Sequence, residues 1–119
     1  MLIVQVFGLK NSAATRAAER FFKERRVAIQ SVDLNVKPMA AGEIRRFVER
    51  FGVSALLDGE GKAYVDAGLR YTKHSDAELL GRIEREPKLL RLPLVRTGKL
   101  LSIGHDEAGW KAIAASLRP

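Results

Sequence analysis

Residues able to do chemistry are sparse in this chain, and their most telling feature is an absence. None of its 119 residues is a cysteine. That excludes disulfides, thiolate-ligated zinc, iron–sulfur clusters and thiol catalysis together. The two histidines, His74 and His105, stand far apart, each beside a predicted helix start. Both read as loop or capping residues, because a metal site needs a convergent ligand set and no such set is visible. The remaining polar groups sit where helices begin. Asn11 and Ser12 precede one apolar-periodic stretch, and Ser75-Asp76-Ala77-Glu78 precedes another with the spacing of a capping box. There a serine oxygen accepts from the backbone three residues on, while the glutamate reaches back.

Charge adds a second line. Lys and Arg number 21 against 14 Asp and Glu, a formal net charge of +7, which favours acidic partners as well as plain solubility. The cations are spread over Arg16, Arg20, Lys23, Arg25, Arg26, Arg45, Arg46, Arg50, Arg82, Arg85, Lys88, Arg91, Arg96 and Lys99. They form no long basic block, and aromatic residues suited to base stacking are few. Direct nucleic-acid binding is therefore not expected, whereas an acidic protein face or a small oxyanion fits.

The elements that must position these residues follow from hydrophobic rhythm. Leu2 to Phe7 is a strand-like run ended by Gly8. A helix over about 13–25 carries Ala14, Ala17, Ala18, Phe21 and Phe22 on one face. Val27 to Val32 reads as a second strand, with Val27, Ile29 and Val32 inward, which completes a βαβ unit. Pro38 then precedes a helix with Ile44, Phe47, Val48 and Phe51, closed by Gly52. A turn follows at Asp58 to Lys62, and Ser75 opens a helix with Leu79, Leu80 and Ile83 that should stop before Pro87. Leu92 to Arg96 and Lys99 to Ile103 flank a Thr97-Gly98 turn as a hairpin. Asp106 caps a last helix bearing Trp110, Ile113, Ala114 and Leu117. The order is βαβ, two helices, β-hairpin, helix, which predicts an α/β fold with one mixed sheet covered by helices. Its length suits a single domain over 1–119 with an ordinary core. No apolar run approaches the roughly 20 residues that span a bilayer. The opening residues lack a basic n-region, so no signal peptide is expected and a cytoplasmic protein is the expectation.

Four segments in this order resemble the arsenate reductase (ArsC)/Spx family. Val6-Phe7-Gly8 through Ser12-Ala13-Ala14-Thr15-Arg16 resembles its opening, a strand leading into a Cys-x-x-Cys-Arg or Cys-x-x-Ser-Arg helix start. Leu57-Asp58-Gly59-Glu60-Gly61-Lys62-Ala63-Tyr64, followed by Gly68-Leu69, resembles the turn before its third helix. Glu86-Pro87-Lys88-Leu89-Leu90-Arg91-Leu92-Pro93-Leu94-Val95 is similar to its proline-containing segment, and Ile103-Gly104-His105-Asp106-Glu107 with Trp110-Lys111 to its closing one. The resemblance implies a thioredoxin-like fold, βαβ plus β-hairpin-α, with a helical insertion between the halves. It also implies that Pro93 follows a cis peptide; without it, a trans proline opening an edge strand is the plainer reading.

By the same resemblance, Ser12 falls where the nucleophilic thiol belongs and Thr15 where a second thiol can occur. A hydroxyl forms no disulfide and is barely ionised without an adjacent base. Family arginines expected near the central turn, beside the cis-proline and after the hairpin are replaced by Asp58 and Glu60, by Leu92 and by the surroundings of Ile103 and Gly104. Only Arg16 matches, with Arg91 one place upstream as a substitute. Two readings of the helix start stay open: Ser12 as an N-cap, or an oxyanion pocket of Ala13 to Thr15 N–H groups with Ser12, Arg16, Arg91 and Pro93 nearby. The resemblance thus implies a non-catalytic binding or regulatory module, redox-inactive at the family site. Spx-like relatives bind RNA polymerase, so a protein of that kind is one partner it suggests. The alternatives are an arsenate reductase-like or glutathione-dependent oxidoreductase using an external thiol, and a small-oxyanion-binding protein. No cofactor is expected, and glutathione enters only through the family.

Overall fold

A computed structural model describes residues 3–117. The chain divides into two compact units, residues 3–37 with 92–117, and Pro38–Arg91. In the first unit β1 (Val4–Gly8) and β2 (Ile29–Asp33) flank α1 (Ala13–Glu24), and β3 (Leu94–Thr97) and β4 (Leu100–Ile103) precede α6 (Glu107–Ser116). Leu2, where the first strand is expected to start, lies outside the described residues.

β1 pairs in parallel with β2, Val4 opposite Ile29 and Gly8 opposite Asp33. It pairs antiparallel with β3, Gln5 opposite Arg96 and Phe7 opposite Leu94. β3 and β4 form the expected hairpin, so the mixed sheet has the order β2-β1-β3-β4. Alternation along the strands sends Val4, Val6 and Val95 to one face. There they are buried with Ala18, Phe21 and Phe22 of α1 and Trp110, Ile113 and Ala114 of α6. Phe21 meets Phe22 edge to face at 5.2 Å and the Trp110 ring at 5.6 Å, within the range where aromatic pairs gain beyond burial alone. Gln5 and Arg96 alternate to the other face, where Arg96 Nη2 donates to Gln5 Oε1 at 2.7 Å and Gln5 Nε2 to Gln30 Oε1 at 3.1 Å.

Three boundaries differ from expectation. β2 begins at Ile29 rather than Val27, because the chain is still closing α1. The N–H of Arg26 donates to the Lys23 carbonyl and that of Val27 to the Phe22 carbonyl. This is a Schellman ending with Arg26 in the left-handed position, φ 58°. The hairpin loop is Gly98-Lys99, not Thr97-Gly98: Thr97 stays in the ladder opposite Leu100, and Gly98 supplies the positive φ that a two-residue turn demands. β3 begins at Leu94, after a Leu92–Pro93 peptide that is cis.

The second unit carries more helices than the two expected. α2 (Ala41–Phe51) is followed by α3 (Val53–Leu56), α4 (Lys62–Asp66), a 3-10 turn at Leu69–Tyr71, α5 (Asp76–Arg85) and a 3-10 turn at Pro87–Leu89. Helical segments of three to five residues show too little of the 3.6 period to be read from sequence. Phe47, Val53, Leu56, Ile83, Leu89 and Leu90 are among its buried side chains. Its C-terminal end is tied back to the segment after α3 by a Leu57–Leu90 bridge and by the Arg91 N–H donating to the Leu56 carbonyl at 2.7 Å.

α5 has the expected capping box in full. Ser75 Oγ accepts from the Glu78 N–H at 3.2 Å, and the Ser75 N–H donates to Glu78 Oε1 at 3.1 Å. These bonds from Ser75, with the His74 imidazole nearby, hold the Glu78 carboxyl below its ordinary pKa, only partly opposed by desolvation. A carboxylate with a depressed folded-state pKa contributes stability above its unfolded pKa and loses it as pH falls through the folded one. Acidification through the carboxylate range is therefore expected to destabilise the wild type more than Glu78→Gln, which keeps a bonding amide but no titrating group. Urea unfolding midpoints above and below that range measure the difference.

Candidate functional site

The candidate residues Ser12, Ala13, Thr15 and Arg16 all lie on the opening turn of α1. β1 ends at Gly8, and the Ser12 N–H donates to the Leu9 carbonyl at 3.0 Å, which turns the chain into the helix. Ser12 has extended backbone angles, and its Oγ accepts from the Thr15 N–H at 3.2 Å. That is the N-cap geometry, with one orphan N–H of the first turn satisfied from within the chain. Among the described residues this is the only hydrogen bond of the Ser12 side chain, so no base activates the hydroxyl as a nucleophile.

Thr15 is held differently. It is 5% exposed, and its Oγ1 has no hydrogen-bond partner among the described residues. Its side chain lies against Gly8 so closely that a Cβ on Gly8 would stand 2.4 Å from both Thr15 Cγ2 and Oγ1. Only glycine lets the strand end come this near the helix. Arg16, exposed, donates from Nη1 to the Lys10 carbonyl at 2.7 Å and so braces the loop that leads into the helix. Ala13 is exposed.

Pro93 is buried in the same unit as these residues, and its carbonyl accepts from the Gly104 N–H at 3.0 Å. Arg91 belongs to the other unit, where Nη2 donates to the Leu57 carbonyl at 3.4 Å. His74 lies 3.7 Å from Glu78, and His105 lies 3.6 Å from Glu107 with its ring 5.0 Å from that of Trp110. Among the described residues no group of three or more His, Asp or Glu side chains is placed to hold a metal. No described helix is long and apolar enough to cross a membrane.

Sequence reasoning missed two features. The Gly8–Thr15 approach leaves no local signal, since glycine after a strand is ordinary. The second is a groove of about 600 Å³ beside the other end of α1, lined by Glu19, Arg20, Lys23, Arg26 and 27–29. Its cations are visible in the sequence, but only the packing of α1 beside β2 assembles them.

Comparison with known proteins sets this geometry in context. Residues 7–113 match the ArsC family. The chain is 22% identical over 108 residues to a global transcriptional regulator, Spx 2, of Oceanobacillus iheyensis, covering 89% of this chain and 79% of that one. Among solved structures it is similar to the YffB (PA3664) protein, with a TM-score of 0.81 and 18% identity over 97% of this chain and 99% of the other. It is also similar to an arsenate reductase from Vibrio cholerae, with a TM-score of 0.76 and 17% identity over 94% and 96%. At such identities the structural likeness speaks for the fold: a thioredoxin-like sheet with a helical insertion between its halves.

The cap and the close approach are separable by mutation. Ser12→Ala should cost about 0.5–2 kcal/mol, the usual loss of an N-cap. Gly8→Ala should cost about 1–3 kcal/mol through overpacking, and adding Thr15→Ala should recover part of it. Equilibrium urea unfolding of the single and double variants checks both.

Proposed function

Because the chain belongs to the ArsC family and none of its 119 residues is a cysteine, we propose that it is a redox-inactive member that acts as a binding or regulatory module. One observation carries the reading: the hydroxyl that stands at the family's thiol position is spent on capping its own helix. A thiolate there would draw on the helix N-terminus for a lowered pKa and would attack a bound oxyanion. Ser12 can do neither. Arg16 is turned to a loop carbonyl, which supports a structural role for it as well.

The relative described as a global transcriptional regulator supports regulation through a protein partner, and the RNA polymerase bound by Spx-like proteins is one such partner. The surplus of positive charge suits an acidic face on it.

The purified chain, given arsenate and glutathione, is expected to form arsenite no faster than a protein-free control. Turnover above that control would overturn the reading. Ser12→Cys, which restores the thiol, should alkylate with a pH midpoint below the ordinary cysteine value if the helix mouth keeps its field. From an extract of the native cell, immobilised protein should retain a stoichiometric protein partner; recovery of none counts against a binding role.

A further inference from the structure

β2 lies at the rim of the sheet and among the described residues pairs with β1 alone. The Ala28 carbonyl accepts from the Val4 N–H, and the Leu34 N–H donates to the Gly8 carbonyl. In a parallel ladder alternate residues serve the same neighbour. Ala28, Gln30, Val32 and Leu34 therefore face β1, while Ile29 and Ser31 turn their N–H and C=O groups outward from the sheet. Such a row is a template for another strand.

The groove beside this rim supplies the selectivity. It is lined by Val27, Ala28 and Ile29 together with Arg20, Lys23 and Arg26. None of these three cations forms an ion pair among the described residues. The one acid of the groove, Glu19, is engaged by the Ser31 hydroxyl. Arg25, by contrast, is committed elsewhere: its guanidinium stacks on the Phe21 ring at 3.6 Å and donates to the Phe21 carbonyl. Arg26 stands at the left-handed position of the helix ending, where glycine is the favoured residue. The chain keeps a cation on the groove at a backbone angle that disfavours it.

We propose that the free rim of β2 and the adjoining groove bind an acidic, extended segment of a partner protein as an added strand, its carboxylates meeting Arg20, Lys23 and Arg26. Main-chain bonds to Ile29 and Ser31 would supply affinity, and alternate side chains over the groove would supply selection. A second copy of the chain is disfavoured because it would bring the same cations against these. Nucleic acid is disfavoured because the groove holds no aromatic platform and does hold a carboxylate. The site rests on the binding-module reading and gives that module a place and a partner chemistry.

The probe is a fluorescein-labelled peptide of strand length that alternates glutamate and valine, followed by anisotropy at low ionic strength. Two controls accompany it, a glutamine–valine peptide and a helix-forming glutamate–alanine peptide of equal charge. The glutamate–valine peptide should bind, both controls should bind about tenfold more weakly or worse, and Arg20→Glu with Lys23→Glu should cost a similar factor. Arg26→Gly should weaken binding while leaving the melting temperature equal or higher, a pairing that a purely structural arginine would not give. Amide NMR shifts on titration should centre on Ile29 and Ser31. The proposal is overturned by equal binding of the helical peptide, by shifts centred elsewhere, by indifference to the charge reversals, by no binding at millimolar peptide, or by a DNA duplex that displaces the peptide at lower concentration. A native partner whose binding ignores these substitutions sinks the rim site and leaves the binding-module reading standing.

Discussion

The contact on which the first unit turns is the approach of Thr15 to Gly8. A parallel βαβ unit must bring its helix back over the sheet within a few residues of leaving it. Here the chain does so with the Thr15 side chain packed directly on the bare backbone of Gly8. That closeness sets where the first turn of α1 lies and, through it, where Ala18, Phe21 and Phe22 meet Val4, Val6 and Val95. Thr15 is thereby buried with a hydroxyl oxygen that has no partner among the described residues, a cost that burial of the methyl on the same side chain offsets in part. A cysteine in the same place would bury a softer, less polar atom. The hydroxyl fills this place at a penalty.

Much of this was open to sequence reasoning. The strand, helix, strand opening, the hairpin and the last helix were readable because each carries a period, a cap or a turn residue of its own. Ser12, Ser75 and Asp106 all cap as expected, with the acceptor roles of their side chains in place. What escaped was whatever depends on another segment. Val27 has the composition of a strand residue, yet it packs against the core while closing the Schellman turn. The short helices between Val53 and Asp66 have no caps from side chains and too few turns to show a face. At the candidate site the sequence named Ser12 and Arg16, but not the partners they bond, the Thr15 nitrogen and the Lys10 carbonyl.

The two ends of α1 differ in what they leave unsatisfied. At the N-terminal end the Thr15 N–H is drawn into a local bond by the serine cap, and the Arg16 guanidinium by the Lys10 carbonyl. At the C-terminal end the Schellman bonds take up the Lys23 and Phe22 carbonyls, and Arg25 is bonded to the Phe21 carbonyl. Arg20, Lys23 and Arg26 form no ion pair among the described residues. Lys23 in the last turn complements the helix dipole, but Arg20 and Arg26 are not needed for that and stand over a rim whose backbone groups alternate outward. A protein that had only to keep this rim from aggregating could use any charge. Three cations on one side, one acid held away by Ser31, and a non-glycine residue in a glycine conformation amount to more than a solvated helix face requires. On the proposed reading, the C-terminal end of α1 and the β2 rim beside it are where a partner strand would meet both outward backbone groups and cations.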